Sequence, residues 1–193
     1  MPSHMRRRAA EPRRYAAASL SSARLFLVPL TTALVKAEQA GSTSLAKLLG
    51  TVAPSSWPPE LYEPDDLKRM ERLLQDPQNH GWTLYYLLTQ GDPVRLVGVA
   101  GFGGAPTAEG VVDLGYSVLP EFRRQGLATE AVEALITFAV ADPRVRAIAA
   151  ETYPALTASI GVLRKSGFRL VPSRPGSDTV RYERYVRASA TTV

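Results

Sequence analysis

The spacing of apolar residues along the chain changes rhythm part-way. Residues 24–30, RLFLVPL, form a short apolar run closed by a proline and predict a first strand. TTALVKAEQAG (31–41) opens on a threonine cap and closes on glycine, the start and stop signals of a helix. STSLAKLLG (42–50) repeats that pattern in shorter form. Residues 51–60 hold three prolines and predict irregular chain. From 63 to 77 the period is helical again. Pro64 opens the helix, Asp65 and Asp66 fill its first turn, and Leu67, Met70, Leu73 and Leu74 share a face before Asp76-Pro77 ends it.

The period then shortens. Residues 82–90, 95–104 and 110–120 predict three antiparallel strands, the first two joined by a Gly-Asp-Pro turn. Residues 126–140 return to helical spacing, with Leu127, Ala131, Leu135 and Phe138 on one stripe and Glu130, Glu133 and Thr137 on another. VRAIAAETY (145–153) is nearly continuous in apolar residues, as a parallel strand covered by helices on both faces would be. TASIGVLRKSGF (157–168) predicts a short helix with Ile160 and Leu163 inward and Gly167 just past its end. Residues 180–186 alternate and predict a last strand. The succession predicts one mixed α/β domain over residues 21–187, between a flexible basic tail at 1–20 and a C-terminal tail at 188–193.

Composition narrows the chemistry. At 45% apolar and 21% charged residues, the chain reads as globular and not as disordered or fibrous. It has no cysteine, which removes disulfides and thiolate metal sites and fits a reducing, cytoplasmic setting. His4 and His80 are the only histidines, so neither a histidine zinc site nor a Ser-His-Asp triad has material to work with, and no metal is expected. No apolar run approaches the ~18 residues of a membrane-spanning helix, and no membrane partner is expected. The net charge of +5 favours an anionic partner. Much of the excess lies in MRRRAAEPRRY (5–15), but no aromatic residues interleave it as in a nucleic-acid reader, so nucleic acid is disfavoured.

One stretch gathers the candidate chemistry. In EFRRQGLATEA (121–131), two arginines and a glycine stand between a strand and a helix. The first N–H groups of a helix have no intrahelical partners, its dipole adds positive charge there, and glycine lets an anion approach the backbone. A solvated surface loop and an anion site both fit these residues. No GK[ST] follows the glycine and no G-x-G-x-x-G is present, so it is neither a Walker loop nor a dinucleotide fingerprint.

The flanking residues carry more. Arg123-x-x-Gly126-x-Ala128 resembles the Q/R-x-x-G-x-G/A pyrophosphate loop of the GNAT N-acetyltransferase superfamily. DLGYSVLPEF before it is similar to the GYWLxPxxxGQG strand of the branch that includes ribosomal-protein alanine N-acetyltransferases. AETYPALTASIGVLRKSGF (150–168) resembles that branch's AETxPxNxASxxVLxKxGF segment. The three blocks stand in family order and span about residues 94–171.

The resemblance implies a GNAT fold: a central, mostly antiparallel twisted sheet, flanked by helices, in which two parallel strands splay apart. The splayed strands here would be 111–118 and 145–152. Acetyl-CoA would lie in the gap as co-substrate, its pantetheine arm against Ser117 and Val118. Its pyrophosphate would lie on the backbone of Arg123, Arg124, Gln125, Gly126, Leu127, Ala128 and Thr129. The implied activity is acetyl transfer to a primary amine by direct attack; a non-catalytic acyl-CoA-binding module is the alternative. Ser159 falls on the branch's helix serine, the first candidate for general acid, with Tyr153 as the other donor. Glu151 and then Asp113 are candidate bases, although either carboxylate could instead pair with an arginine. Leu156 stands where the family usually has asparagine, and Gly161 where it usually has arginine. The acceptor stays open among peptide N-termini, amino acids, polyamines and aminoglycoside-like amines, and a homodimer is compatible with the family.

Overall fold

A computed structural model describes residues 20–186. The basic arm and the C-terminal tail expected at 1–20 and 188–193 lie outside the described residues, apart from Leu20. Eight strands form one sheet in the order β1-β2-β3-β4-β5-β6-β8-β7. They are β1 (Leu20–Ser21), β2 (Leu25–Pro29), β3 (Leu84–Thr89), β4 (Leu96–Phe102), β5 (Val111–Val118), β6 (Ala147–Thr152), β7 (Arg169–Val171) and β8 (Val180–Tyr185). The helices are α1 (Thr32–Gln39), α2 (Ser42–Leu48), α3 (Pro64–Leu73), α4 (Leu127–Val140) and α5 (Thr157–Lys165). Among the named strands, β5 and β6 form the one parallel pair and all other neighbours run antiparallel. Among the described residues, no helix is long and apolar enough to cross a membrane.

The sheet is covered on both faces, which explains why β3 and β4 are buried almost throughout. Strand alternation sends Tyr85 and Leu87 toward one core and Tyr86 and Leu88 toward another. The first core packs Leu114, Val118, Ile148 and Tyr182 against α4 and α5, with Ala131, Val132 and Leu135 buried on α4 and Leu163 on α5. The second packs Val28, Tyr86, Leu88 and Val99 against Leu34 and Val35 of α1, Leu45 of α2, and Leu67 and Met70 of α3. The stripes expected on α3 and α4 are the faces these helices bury.

Two strands escape the sequence pattern, β1 and β7. At two and three residues they are too short to carry a period. Gly167 creates β7: with φ of +79° it ends α5 in a left-handed turn, and Phe168 N–H donates to Leu163 O at 3.0 Å. The chain thereby reverses onto β8. The helix expected to reach Asp76-Pro77 stops at Leu73. The Asp76 side chain instead accepts from Gln78 N–H at 2.9 Å and caps a separate 3-10 turn, Pro77–Asn79.

Candidate active site

β5 and β6 begin as hydrogen-bonded neighbours and then part. Val111, Val112 and Asp113 pair with Ala147, Ile148 and Ala149, and there the pairing stops. From Leu114 to Val118, β5 keeps only β4 as partner, while Ala150 to Thr152 of β6 keep only β8. Antiparallel ladders turn alternate residues toward each neighbour. Gly103 N–H donates to Asp113 O and Leu119 N–H to Val97 O, so the odd residues of β5 spend their backbone on the β4 side. Ser117 is one of these. Tyr116 and Val118 present their backbone groups to the gap, and the Val118 carbonyl there accepts from Arg123 Nε at 2.9 Å.

The gap ends at the glycine loop. Arg124 (φ 62°) and Gly126 (φ 79°) both adopt left-handed backbone, and the chain turns sharply into α4. Glu130 N–H makes the helix's first bond, to Gly126 O, so the N–H groups of Leu127, Ala128 and Thr129 precede the helical ladder. Arg24, just before β2, clamps the loop from behind. Its Nη1 donates to Gln125 O at 2.9 Å, while its Nε donates to Glu130 Oε2 and its backbone N–H to Glu130 Oε1. Ser22 Oγ donates to the same Glu130 carboxylate at 2.7 Å. Partial burial works against a charged Glu130, but these hydrogen bonds outweigh it and hold its pKa below the ordinary carboxylate value.

The side chain of Arg123 is occupied by groups of the protein itself. Besides bonding Val118 O, it meets Glu60 through Nη2 at 2.9 Å, and Ser117 Oγ donates to Glu60 O at 2.6 Å. Ser56 Oγ donates to Glu121 at 2.6 Å. These contacts tie the proline-rich segment 54–60 to the end of β5 and the start of the loop.

Candidate catalytic groups lie on the two faces of β5. On the α5 side, Tyr116 Oη donates to Ser159 O at 2.9 Å and lies 3.0 Å from Ser159 Oγ. Burial pushes the Tyr116 pKa up to about 12, so it keeps its proton at neutral pH. Leu156 occupies the N-cap of α5 and supplies no side-chain cap, the consequence of its standing where asparagine is usual. On the opposite face, Arg181 of β8 gathers the acids. Its Nη1 lies 3.2 Å from Glu151 and 3.6 Å from Asp113, and its Nε donates to Glu183 at 2.9 Å. Thr179 Oγ1 also donates to Glu151 Oε2 at 3.0 Å. A hydrogen bond from Tyr185, and then Arg181, hold the Glu183 pKa low. Gly115 lies on this face, and a Cβ there would meet nothing within 4 Å.

A splayed parallel pair leads to a turn at Gly126 whose amides open a helix, and free helix N–H groups of this kind suit an anion. The profile of the acetyltransferase (GNAT) domain matches residues 24–169. The chain belongs to the GNAT acetyltransferase family. It is 28% identical, over 78% of its length and 89% of the relative's, to the uncharacterized N-acetyltransferase YjdG of Bacillus subtilis (strain 168). Its fold is similar to that of RimL, a ribosomal L7/L12 alpha-N-protein acetyltransferase solved with coenzyme A. That likeness has a TM-score of 0.62 at 19% identity, covering 87% of this chain and 98% of RimL. It is also similar to the microcin C7 self-immunity acetyltransferase MccE, solved with acetyl-CoA and AMP: TM-score 0.57, 15% identity, 85% of this chain and 93% of that one.

Within this GNAT domain the structure brings Ser159 to Tyr116, and Glu151 to Asp113 through Arg181. Tyr153 is exposed, and its carbonyl accepts from Leu156 N–H at 3.0 Å. Sequence reasoning missed Arg181, Arg24 and Tyr116. The alternation of 180–186 places Arg181 and Glu183 on one face, but that this face meets Glu151 depends on β8 pairing with β6. Nothing local in the sequence encodes that pairing. Among the described residues no cluster of three His, Asp or Glu side chains could hold a metal ion.

Proposed function

We propose that this acetyltransferase moves the acetyl group of acetyl-CoA to a primary amine by direct attack, within one catalytic domain spanning residues 21–187. The observation that carries the reading is the unpaired stretch of β5 and β6 leading into the Arg123–Thr129 turn. The pantetheine arm would act as a surrogate strand, bonding the backbone of Tyr116 and Val118 and lying beside Ser117. The pyrophosphate would sit on the N–H groups of Gly126, Leu127, Ala128 and Thr129, with Arg123, Arg124 and Gln125 at its rim. RimL with coenzyme A and MccE with acetyl-CoA, which share the fold, support acetyl-CoA as the co-substrate.

In this arrangement the two faces of β5 divide the chemistry. The amine arrives from the Asp113, Gly115 and Glu151 side, where three carboxylates face one guanidinium and attract an ammonium ion. Glu151 accepts the proton, directly or through water, and the neutral nitrogen attacks the thioester carbonyl. As the C–S bond breaks, Ser159 on the other face protonates the leaving sulfur and regains a proton, through solvent, from the attacking nitrogen, with Tyr116 at its side as a second donor. Asp113 holds the ammonium, and the exposed Tyr153 stands at the rim as the alternative acid. Acetyl-CoA incubated with a panel of amines and a thiol reagent tests the reading. Free CoA is expected only when a suitable amine is present. If acetyl-CoA raises the melting temperature but no amine releases CoA, the chain is an acyl-CoA-sensing module.

A further inference from the structure

The carboxylate of Glu38, at the end of α1, stands apart from the gap and has no role in the reaction above. Trp57 Nε1 donates to its Oε1 at 3.0 Å, and Tyr62 Oη donates to its Oε2 at 3.0 Å. Tyr86 Oη, from β3, also donates to Oε2. All three donors are neutral, so they share its charge without cancelling it. Among the described residues Glu38 has no ion-pair partner. The nearby Lys68 ammonium bonds Asp65 at 2.9 Å and is mostly exposed. Burial raises the Glu38 pKa, against the three hydrogen bonds that lower it.

This group lines a cavity of about 460 Å³ between α1 and α3, walled by Trp57, Pro58, Tyr62, Pro64 and Leu67. The size suits a small organic ligand. Its walls are mostly apolar; of the three charged residues that line it, Lys68 is paired with Asp65, which leaves the Glu38 and Glu63 carboxylates. The rings stand close, Trp57 with its centroid 6.2 Å from Tyr62 and 6.0 Å from Tyr86. A carboxylate serving only to pin the 57–62 segment needs no cavity beside it. Aromatic faces next to a carboxylate that lacks a counter-ion are the surroundings that an alkylammonium ion prefers to water.

We propose that this cavity binds the ammonium group of a small aliphatic amine, with Glu38 as counter-ion and the rings of Trp57 and Tyr62 as walls. The ammonium could belong to the acceptor, as a second cationic group, or to a separate ligand that is not consumed. Neither source requires the catalytic assignments made above.

The two tryptophans make the test direct. Trp57 borders the cavity, whereas Trp82 lies in the other core, 5.0 Å from both Phe102 and Phe138, and serves as internal control. Titrating the protein with n-propylammonium, without acetyl-CoA, is expected to shift the Trp57 indole N–H resonance and leave that of Trp82 in place. The neutral isostere n-propanol is expected to shift neither. Glu38→Gln is expected to weaken the cation's binding by about tenfold or more, the loss of one charge-assisted bond. No shift with the cation, an equal shift with the alcohol, or unchanged affinity in a folded Glu38→Gln variant would overturn the proposal. If that variant does not fold, the wild-type comparison of cation and alcohol decides alone. Acetyl-CoA with 1,3-diaminopropane in place of the monoamine then separates the sources: a diamine that is consumed is the acceptor, and one that binds unchanged is a separate ligand.

Discussion

The hydroxyl of Tyr116 on β5 lies 3.0 Å from the hydroxyl of Ser159 on α5. Burial keeps the Tyr116 proton in place at neutral pH, so the pair can hold a hydrogen-bond donor toward the gap. Ser159→Ala is expected to lower kcat about a hundredfold, the low end for losing a general acid, with the acetyl-CoA Kd unchanged. Tyr116→Phe keeps the ring, lowers kcat by less, and costs about 1 kcal/mol of stability for the lost hydrogen bond. Steady-state kinetics with calorimetry separates these effects.

Glu151 is held by two partners, Arg181 and Thr179, whereas the side chain of Asp113 meets Arg181 only at 3.6 Å and is 67% exposed. An oriented carboxylate suits proton transfer, and a mobile one suits attraction of the ammonium. Glu151→Gln is therefore expected to lower kcat about a hundredfold. Asp113→Asn is expected to raise the acceptor KM several-fold, an effect that fades with added salt. Initial rates at two ionic strengths distinguish the roles.

Gly115 lies on the Asp113 face of β5, the side proposed for the acceptor, where a Cβ would meet nothing within 4 Å. Gly115→Leu is expected to fold normally and to bind acetyl-CoA with unchanged affinity. It fills the open space above the strand, so the acceptor KM rises at least about tenfold, the cost of roughly 1.4 kcal/mol of lost binding. A weakened acetyl-CoA Kd in this variant would place the cofactor on the wrong face.

Glu130 ties Arg24 to the loop, and its folded pKa lies below the ordinary 4.5. A depressed carboxylate contributes stability that is fully present above the unfolded value and is lost as pH falls through the folded one. Urea denaturation is expected to show wild-type stability falling below about pH 4.5, and more shallowly in Glu130→Gln. At pH 7 that variant is expected to be about 1 kcal/mol less stable, a modest loss because Arg24 is half exposed and solvent screens the pair. It also binds acetyl-CoA more weakly, since the clamp on Gln125 O loosens.

Much of this architecture is legible in the sequence, and the reasons are local. Period, caps and prolines set the five helices and the six longer strands, because each signal acts within a few residues. Arg123-x-x-Gly126-x-Ala128 announces the turn for the same reason: positive φ at Gly126 is a local demand. The site's long-range partners are not written this way. Arg24 meets Glu130 across 106 residues and Arg181 meets Glu151 across 30, and both contacts follow from strand order. The aromatic residues divide likewise. Trp82 and Tyr85 pack the first core, while Trp57, Tyr62 and Tyr86, at the second, converge on Glu38, a grouping that no spacing reveals.

The most direct test of the account is a structure of the protein with coenzyme A bound. The pantetheine is expected between β5 and β6, bonded to the backbone of Tyr116 and Val118. The pyrophosphate is expected over Gly126 to Thr129, and the sulfur beside Ser159. Coenzyme A bound elsewhere, with the gap between Val118 and Thr152 left empty, would contradict it.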